Sequence, residues 1–416
     1  MEHFITSIHL NEVRHLKNIE IKLNPEKRQN LILTGKNGSG KTSVLQAIKM
    51  YLSVINRHML NTILWDYPRT IDIAENNYKF AKTDVEKIQA QQAIATLSAE
   101  INRYTSGVTL SFSDSSTLDD LYTSGNFITA YFASDRFSKI RRVHGAEDVK
   151  LADNYPLDSA PAEILLKYMV HLKTQQAYAK NESDASVENQ ITDWFTRFEN
   201  ALKVLLDDDS IKLTYDYRNY NFLIEQKGRN PYSLDELSDG YSAIIGIVAD
   251  LILRMDRNWL LKGELSQYDV EGVVLIDELE THLHVELQRK ILPFLTEFFP
   301  RIQFIITTHS AYILNSISNA CIYDLEKQKQ YSDFSNYSAD DIAEGYFDAD
   351  NYSEQMQNKI NRYRELVAQK DLSEDERAER ARLRMELKNS NRVLEREITE
   401  EFAEIEEERR SSNGQI

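Results

Sequence analysis

Hydrophobic and polar positions change period several times along the chain, and each change marks an element. Phe4 to Leu10 and Asn18 to Leu23 alternate, which predicts two half-buried strands. The apolar run Asn30 to Thr34 enters a glycine-rich turn, and a helix-like stretch, Ser43 to Ile55, follows it. Thr70 to Tyr104 is polar and helix-favouring and predicts one or two exposed helices. Val108 to Phe112 and Phe127 to Phe132 read as paired strands with a Ser/Asp-rich turn region between them. Pro161 to Leu172 and Val187 to Leu206 have helical spacing. In the second of these, Ile191, Trp194, Phe195, Phe198, Ala201, Leu202 and Leu205 share one broad stripe, which is the pattern of a core face. Ile211 to Tyr217 and Tyr220 to Gln226 alternate around Arg218-Asn219 and predict a hairpin. Ala243 to Leu253 reads as a buried helix. Val273 to Ile276 is a continuous apolar run and Gln303 to Ser310 a second buried-strand pattern ending in polar residues, the form a strand takes when both faces of a parallel sheet are covered.

Beyond Asp348 the chain turns highly charged. Tyr352 to Gln369 reads as one helix, and Ser373-Glu374-Asp375-Glu376 is a capping box that opens another, running toward Arg410. On it Leu383, Leu387, Asn391, Leu394, Ile398, Phe402 and Ile405 recur three or four residues apart, an apolar seam on a nearly straight helix. The seam wants a partner: the preceding helix in a hairpin, the main body, or another chain. The expected organisation is therefore one large body, 1–348, with helical insertions at about 51–105 and 160–206, followed by a charged helical segment, 349–416.

Composition narrows the class. With 42% hydrophobic residues the chain has a soluble, globular balance, and no apolar run approaches the ~20 residues of a membrane span. The stretch Met1 to Leu10 lacks the layout of a signal peptide. A single cysteine, Cys321, excludes an internal disulfide framework and suits a reducing cytoplasm. The net charge of −17 argues against a general nucleic-acid coat, although Lys139, Arg141 and Arg142 form a local basic cluster.

The chemistry sits at the ends of the apolar runs. Gly35-Lys36-Asn37-Gly38-Ser39-Gly40-Lys41-Thr42 follows a strand and precedes a helix, the context of a phosphate-binding loop. Its backbone N–H groups would close around phosphate oxygens at a helix N-terminus, with Ser43 extending the loop into the helix. Lys41 would reach the β- and γ-phosphates of a nucleotide, and the Thr42 hydroxyl would ligate Mg²⁺. Arg14, His15 and Lys17 form a basic turn that either lies near the nucleotide or is simply solvated. Ser238-Asp239-Gly240 opens the predicted buried helix and offers a second anion-binding helix N-terminus, a weak signal when taken alone. Asp277 and Glu278 end one buried strand, where ligands of parallel sheets bind. Asp277 would hold Mg²⁺ through its water shell and Glu278 would orient or deprotonate the attacking water. His309 ends the next strand and could donate to the γ-phosphate. His282, His284 and Glu286 are close in sequence, but no Cys cluster or H-E-x-x-H helix supports a transition-metal site.

Together GKNGSGKT, LSDGY, VVLIDE and ITTHS resemble the Walker A, signature, Walker B and switch-histidine motifs of the ABC-type ATPases. The opening I-x-L-x-x-V-R-x-L-K-N is similar to the RecF, SMC and OLD branch. The resemblance covers roughly Met1 to Leu325. It implies an α/β P-loop NTPase head with a mixed sheet, an antiparallel β subdomain and a helical insertion, binding ATP and Mg²⁺. In that family Lys41, Thr42 and Asp277 would bind nucleotide and metal, Glu278 would be catalytic, and His309 would sense the γ-phosphate. Ser238 and Gly240 would contact ATP held by a second copy, in a head-to-head dimer. The span from Thr42 to Ser238 is too short for long coiled-coil arms. No clear glutamine follows the Val108–Phe132 strands, so the Q-loop is unassigned, with Asp135 and Arg136 as the candidates for that place. No TOPRIM pattern follows His309. What remains resembles the compact ATPases of bacterial anti-phage systems, PtuA of Septu and Septu-like retrons or AriA of PARIS, which work beside a separate nuclease or toxin. A RecF-like ATPase that binds duplex DNA directly and a scaffold using ATP as a structural ligand are the alternative readings.

Overall fold

The computed structural model describes residues 2–136, 141–152, 154–262, 270–345, 354–369 and 372–388. The chain divides into two compact units, Met1–Ala339 and Asp340–Ile416. The first unit opens with strands β1 (Ile5–Val13), β2 (Leu16–Lys22) and β3 (Asn30–Thr34), then helices α1 (Lys41–Asn56), α2 (Tyr67–Phe80) and α3 (Asp84–Thr105). Strand β4 (Val108–Phe112), helix α4 (Leu118–Thr123) and strand β5 (Phe127–Phe132) follow, and then helices α5 (Leu165–Asn181) and α6 (Ala185–Leu206). Strands β6 (Lys212–Asp216), β7 (Asn221–Glu225) and β8 (Tyr232–Ser233) precede the long helix α7 (Asp239–Lys262). The remainder of the unit is β9 (Glu271–Ile276), α8 (Val285–Phe298), β10 (Ile302–Thr307), α9 (Ala311–Leu314), β11 (Ala320–Asp324) and β12 (Lys329–Tyr331).

The central sheet has six strands in the order β12-β11-β3-β10-β9-β5, all parallel except the edge strand β12. Every residue of β3, β9, β10 and β11 is buried, which accounts for the apolar stretches at their centres. A second, antiparallel sheet, β2-β1-β4, packs against α1, so that Ile8, Leu10, Val44, Ile48, Leu275 and Ile305 share one core. Gln303 ties the two sheets. Its side-chain oxygen accepts from Ile5 N at 2.7 Å, and its amide donates to the carbonyls of Ile5 and Gln29 at 3.0 and 2.8 Å. The third sheet, β6-β7-β8, lies beside α6, whose predicted stripe is buried throughout. Phe195 of that stripe stacks on Phe222 of β7 at 5.4 Å, and Trp194 donates to Asp256 of α7 at 2.8 Å.

Val108–Phe112 and Phe127–Phe132, expected to pair with each other, do not. Strand β4 pairs with β1, placing Leu110 opposite Ile8, whereas β5 pairs with β9, placing Thr129 opposite Val273. The Ser/Asp-rich stretch between them contains α4, whose buried Asp119 accepts from the Leu60 and Asn61 amides. Burial explains the separation. Strand β4 is buried on one face and suits an antiparallel sheet, while the first four residues of β5 are buried on both faces.

The second unit contains α10 (Ala339–Gly345) in part, then α11 (Glu354–Ala368) and α12 (Glu374–Lys388). The predicted capping box is present: Ser373 N donates to Glu376 Oε2 at 2.8 Å and Glu376 N to Ser373 Oγ at 3.3 Å. Leu383 of the seam packs with Ile360, Tyr363 and Leu366, and Arg362 pairs with Glu379 at 2.9 Å, so α11 and α12 form a hairpin. The seam positions from Asn391 to Ile405 lie outside the described residues.

Candidate nucleotide site

Parallel strands present their carboxyl ends on one edge of the sheet, and the predicted motifs collect there. Strand β3 delivers the Gly35–Thr42 loop, β9 delivers Asp277 and Glu278, and β10 delivers Thr307 and His309. Asp324 ends β11 and Arg136 follows β5.

The loop turns through positive φ at Gly35, Gly38 and Gly40. At Gly40 (φ 101) a side chain would be strained and would also approach Leu16 Cδ1 to 3.2 Å. That contact brings the β1–β2 turn, with His15 beside Leu16, against the phosphate loop. Lys36, Asn37 and Gly38 are exposed at the loop's crest, and Ser43 is half-buried inside α1. Lys41 is buried, and its ammonium donates to the Gly35 and Lys36 carbonyls at 2.7 and 3.2 Å. Burial lowers the Lys41 pKa, against the pull of Glu280, Glu278, Asp277 and Asp324. Four carboxylates around one lysine leave an excess of negative charge that suits a divalent cation. Ser39 Oγ is buried without a hydrogen-bond partner, a hydroxyl placed for an anion in the loop. Thr42 Oγ1 lies 3.3 Å from Asp277 Oδ1, so the two expected Mg²⁺ ligands are adjacent. These residues fit a Mg²⁺–nucleotide.

The Walker B end is held through the Thr307 hydroxyl. Thr307 Oγ1 donates to Asp277 Oδ1 at 2.6 Å and accepts from Glu278 N at 2.7 Å. Glu278 itself adopts a left-handed conformation, φ 46. Its carboxylate accepts from Thr281 Oγ1 at 3.4 Å. His309 is 55% exposed at its side chain, yet both its backbone N and its ring Nδ1 lie 2.8 Å from Glu280 Oε1. The hydrogen bond to Glu280 raises the His309 pKa, outweighing partial burial. Burial would raise Glu280, but the His309 ring and amide hold it below the ordinary carboxylate value.

Glu280 and Thr307 were not expected as site residues, and Arg136 was expected only as one of two candidates for the Q-loop place. The only sequence signal for Glu280 is its position two residues beyond Glu278. Arg136 donates to the carbonyls of Ala133, Asp277, Glu278 and Leu279. Burial lowers its pKa to about 10, opposed by Glu280, Asp277 and Glu278.

The signature segment behaves in two ways. Ser238 and Asp239 are exposed at the start of α7. Gly240 is buried, and a Cβ there would sit 2.4 Å from the His282 carbonyl. Its lack of a side chain is therefore used within the chain, by the turn that follows Glu278. No hydrogen bond among the described residues joins Ser238, Asp239 or Gly240 to the Gly35–Thr42 loop. His284 precedes α8 as its N-cap residue, and His282, His284 and Glu286 form no metal-ligating cluster among the described residues. Arg141 pairs with Glu163, and Arg142 pairs with Asp235 at 3.0 Å, so both described members of the basic cluster have acidic partners.

Residues 31–315, which hold the phosphate loop, the Ser238–Gly240 segment, Asp277, Glu278 and His309, match the family described as AAA domain, putative AbiEii toxin, Type IV TA system. The chain belongs to this AAA-domain family. Its fold is the α/β, ABC-type P-loop NTPase head that the motifs imply. The Septu protein PtuA of Bacillus mycoides (strain KBAB4) is 25% identical over 340 residues, covering 79% of this chain and 42% of that protein. The chain thus spans less than half the length of that relative. The Retron Ec83 probable ATPase of Escherichia coli is 25% identical over 398 residues, covering 79% of this chain and 72% of the relative. Among solved structures, an SMC head bound to the C-winged helix domain of ScpA covers 77% of this chain and 93% of its own, at 12% identity and a TM-score of 0.39. Among the described residues no helix is long and apolar enough to cross a membrane.

Proposed function

We propose that this AAA-family protein binds and hydrolyses ATP with Mg²⁺, and that nucleotide-driven pairing of two copies regulates a partner nuclease or toxin in anti-phage defence, in the cytoplasm. The observation that carries the reading is the convergence of Lys41, Thr42, Asp277, Glu278 and His309 at the carboxyl edge of one parallel sheet. Gly35 to Ser43 would cradle the phosphates, with Lys41 leaving its loop carbonyls for phosphate oxygens. Mg²⁺, held by Thr42 and Asp277, would neutralise phosphate charge when bound. Glu278 accepts a proton from the attacking water, and His309 donates from Nε2 to the γ-phosphate. Ser238 and Asp239, exposed at a helix N-terminus, reach the nucleotide of a second copy. The Septu and retron relatives support the effector-regulating role. Direct DNA binding is less favoured, because Arg141 and Arg142 are already paired and the net charge is −17.

Two substitutions test the site. Lys41→Ala is expected to abolish nucleotide binding, measured with a fluorescent ATP analogue. Glu278→Gln is expected to bind ATP normally, lower turnover on the order of 100-fold and accumulate as an ATP-bound dimer in light scattering. Turnover unchanged in both variants would sink the assignment.

A further inference from the structure

We propose that Arg136 is a positioning residue for hydrolysis: its guanidinium gathers the Asp277, Glu278 and Leu279 carbonyls and so fixes the turn that presents the Glu278 carboxylate. The inference rests on the hydrolytic reading above and adds a residue to it.

Arg136 Nη1 donates to Asp277 O at 2.7 Å and to Ala133 O at 3.2 Å. Nη2 donates to Glu278 O at 3.2 Å and to Leu279 O at 3.0 Å. Three consecutive carbonyls reach one cation only where the backbone turns sharply. The turn is centred on Glu278, at φ 46, a conformation that residues with a side chain rarely adopt. Opposite Arg136, β10 holds the same segment by its amides: Glu278 N donates to Thr307 Oγ1 and Leu279 N to Thr307 O at 3.1 Å. Carbonyls on one side and amides on the other define the turn completely.

The choice of acceptor matters as much as the geometry. Asp277, Glu278 and Glu280 all lie near enough to act on Arg136 electrostatically, yet the hydrogen bonds recorded for the guanidinium go to main-chain oxygens. The carboxylates thereby stay available for Thr42, Thr281, His309 and the reaction. A planar fork with several donors can span this set, whereas the point charge of a lysine cannot. An arginine that merely filled space would affect nucleotide binding, turnover and stability together. A positioning arginine should affect turnover through Glu278 alone.

The test compares Arg136→Lys and Arg136→Gln with the parent full-length chain, each also combined with Glu278→Gln. Expected are a kcat lower by roughly 10–100-fold and an ATP affinity within about threefold of the parent. In the Glu278→Gln background the Arg136 changes should slow turnover no further, since the group they position is already gone. Amide hydrogen exchange should quicken in the segment from Asp277 to Thr281 and stay unchanged in the Gly35–Thr42 loop. Parent-like kcat, equal losses in affinity and kcat, multiplicative effects with Glu278→Gln, or unchanged exchange at Asp277 to Thr281 would each overturn the proposal. A parent protein without ATP turnover would defeat the hydrolytic reading, and the exchange measurement would still decide whether Arg136 fixes the turn.

Discussion

His309 can donate to a phosphate only if its ring carries a hydrogen on Nε2, and Glu280 bears directly on that. The carboxylate accepts from Nδ1, so a neutral ring in this pairing presents a bare, accepting Nε2 to the phosphate. Only the imidazolium satisfies both partners. The raised pKa of His309 keeps that form populated above the ordinary value of 6.5. The sign follows from linkage: the His309 contribution is complete below 6.5 and is lost as pH rises through the raised pKa. The depressed pKa of Glu280 acts at the other end, its contribution being present above 4.5 and lost as pH falls through the lowered value. Glu280→Gln should therefore move the alkaline fall of kcat/KM to lower pH, read from phosphate release across a pH series. An unmoved alkaline limb would remove Glu280 from this role. Asp277, Glu278 and His309 were legible in the sequence because each closes a recognisable run at a strand terminus, and Lys41 and Thr42 because they complete a glycine-rich motif where a helix begins. The roles of Glu280 and Arg136 were not, because their partners are a distant ring, an amide and main-chain oxygens, which have no residue signature.

At the scale of elements, the buried strands and the α6 stripe could be read from periodicity, since burial on one or two faces imposes the pattern directly. Pairing could not. Strands β4 and β5 are neighbours in sequence but serve different sheets, a choice decided by partners contributed from both ends of the chain. Gly240 shows a similar gap between residue and context. Its sequence suggested an open approach for an anion, whereas the His282 carbonyl occupies the space where a Cβ would stand. Gly240→Ala should gain up to about 1 kcal/mol in helix propensity. It must also displace a backbone oxygen 2.4 Å away. The clash should dominate, for a net loss on the order of 1–2 kcal/mol and a Tm lower by a few degrees. A Tm equal to or above that of the parent would show that the His282 turn yields freely.

At the scale of the whole molecule, the proposed reading gives one chain of 48.3 kDa two half-sites. The phosphate loop, Asp277, Glu278 and His309 belong to one edge of the central sheet, while Ser238 and Asp239 stand exposed at the start of α7. On the proposed reading, hydrolysis would be a property of two copies, and a nucleotide would thereby govern assembly. Hydrolysis at a site shared between chains can be checked by mixing two variants that are inactive alone, Lys41→Ala and Ser238→Arg, and measuring phosphate release. In a mixed dimer one site combines both defects and the other combines an intact loop with an intact signature. Recovery to about one quarter of parental turnover is expected, because half of the randomly formed dimers are mixed and each holds one intact site. Turnover no greater than the sum of the two variants assayed apart would contradict it.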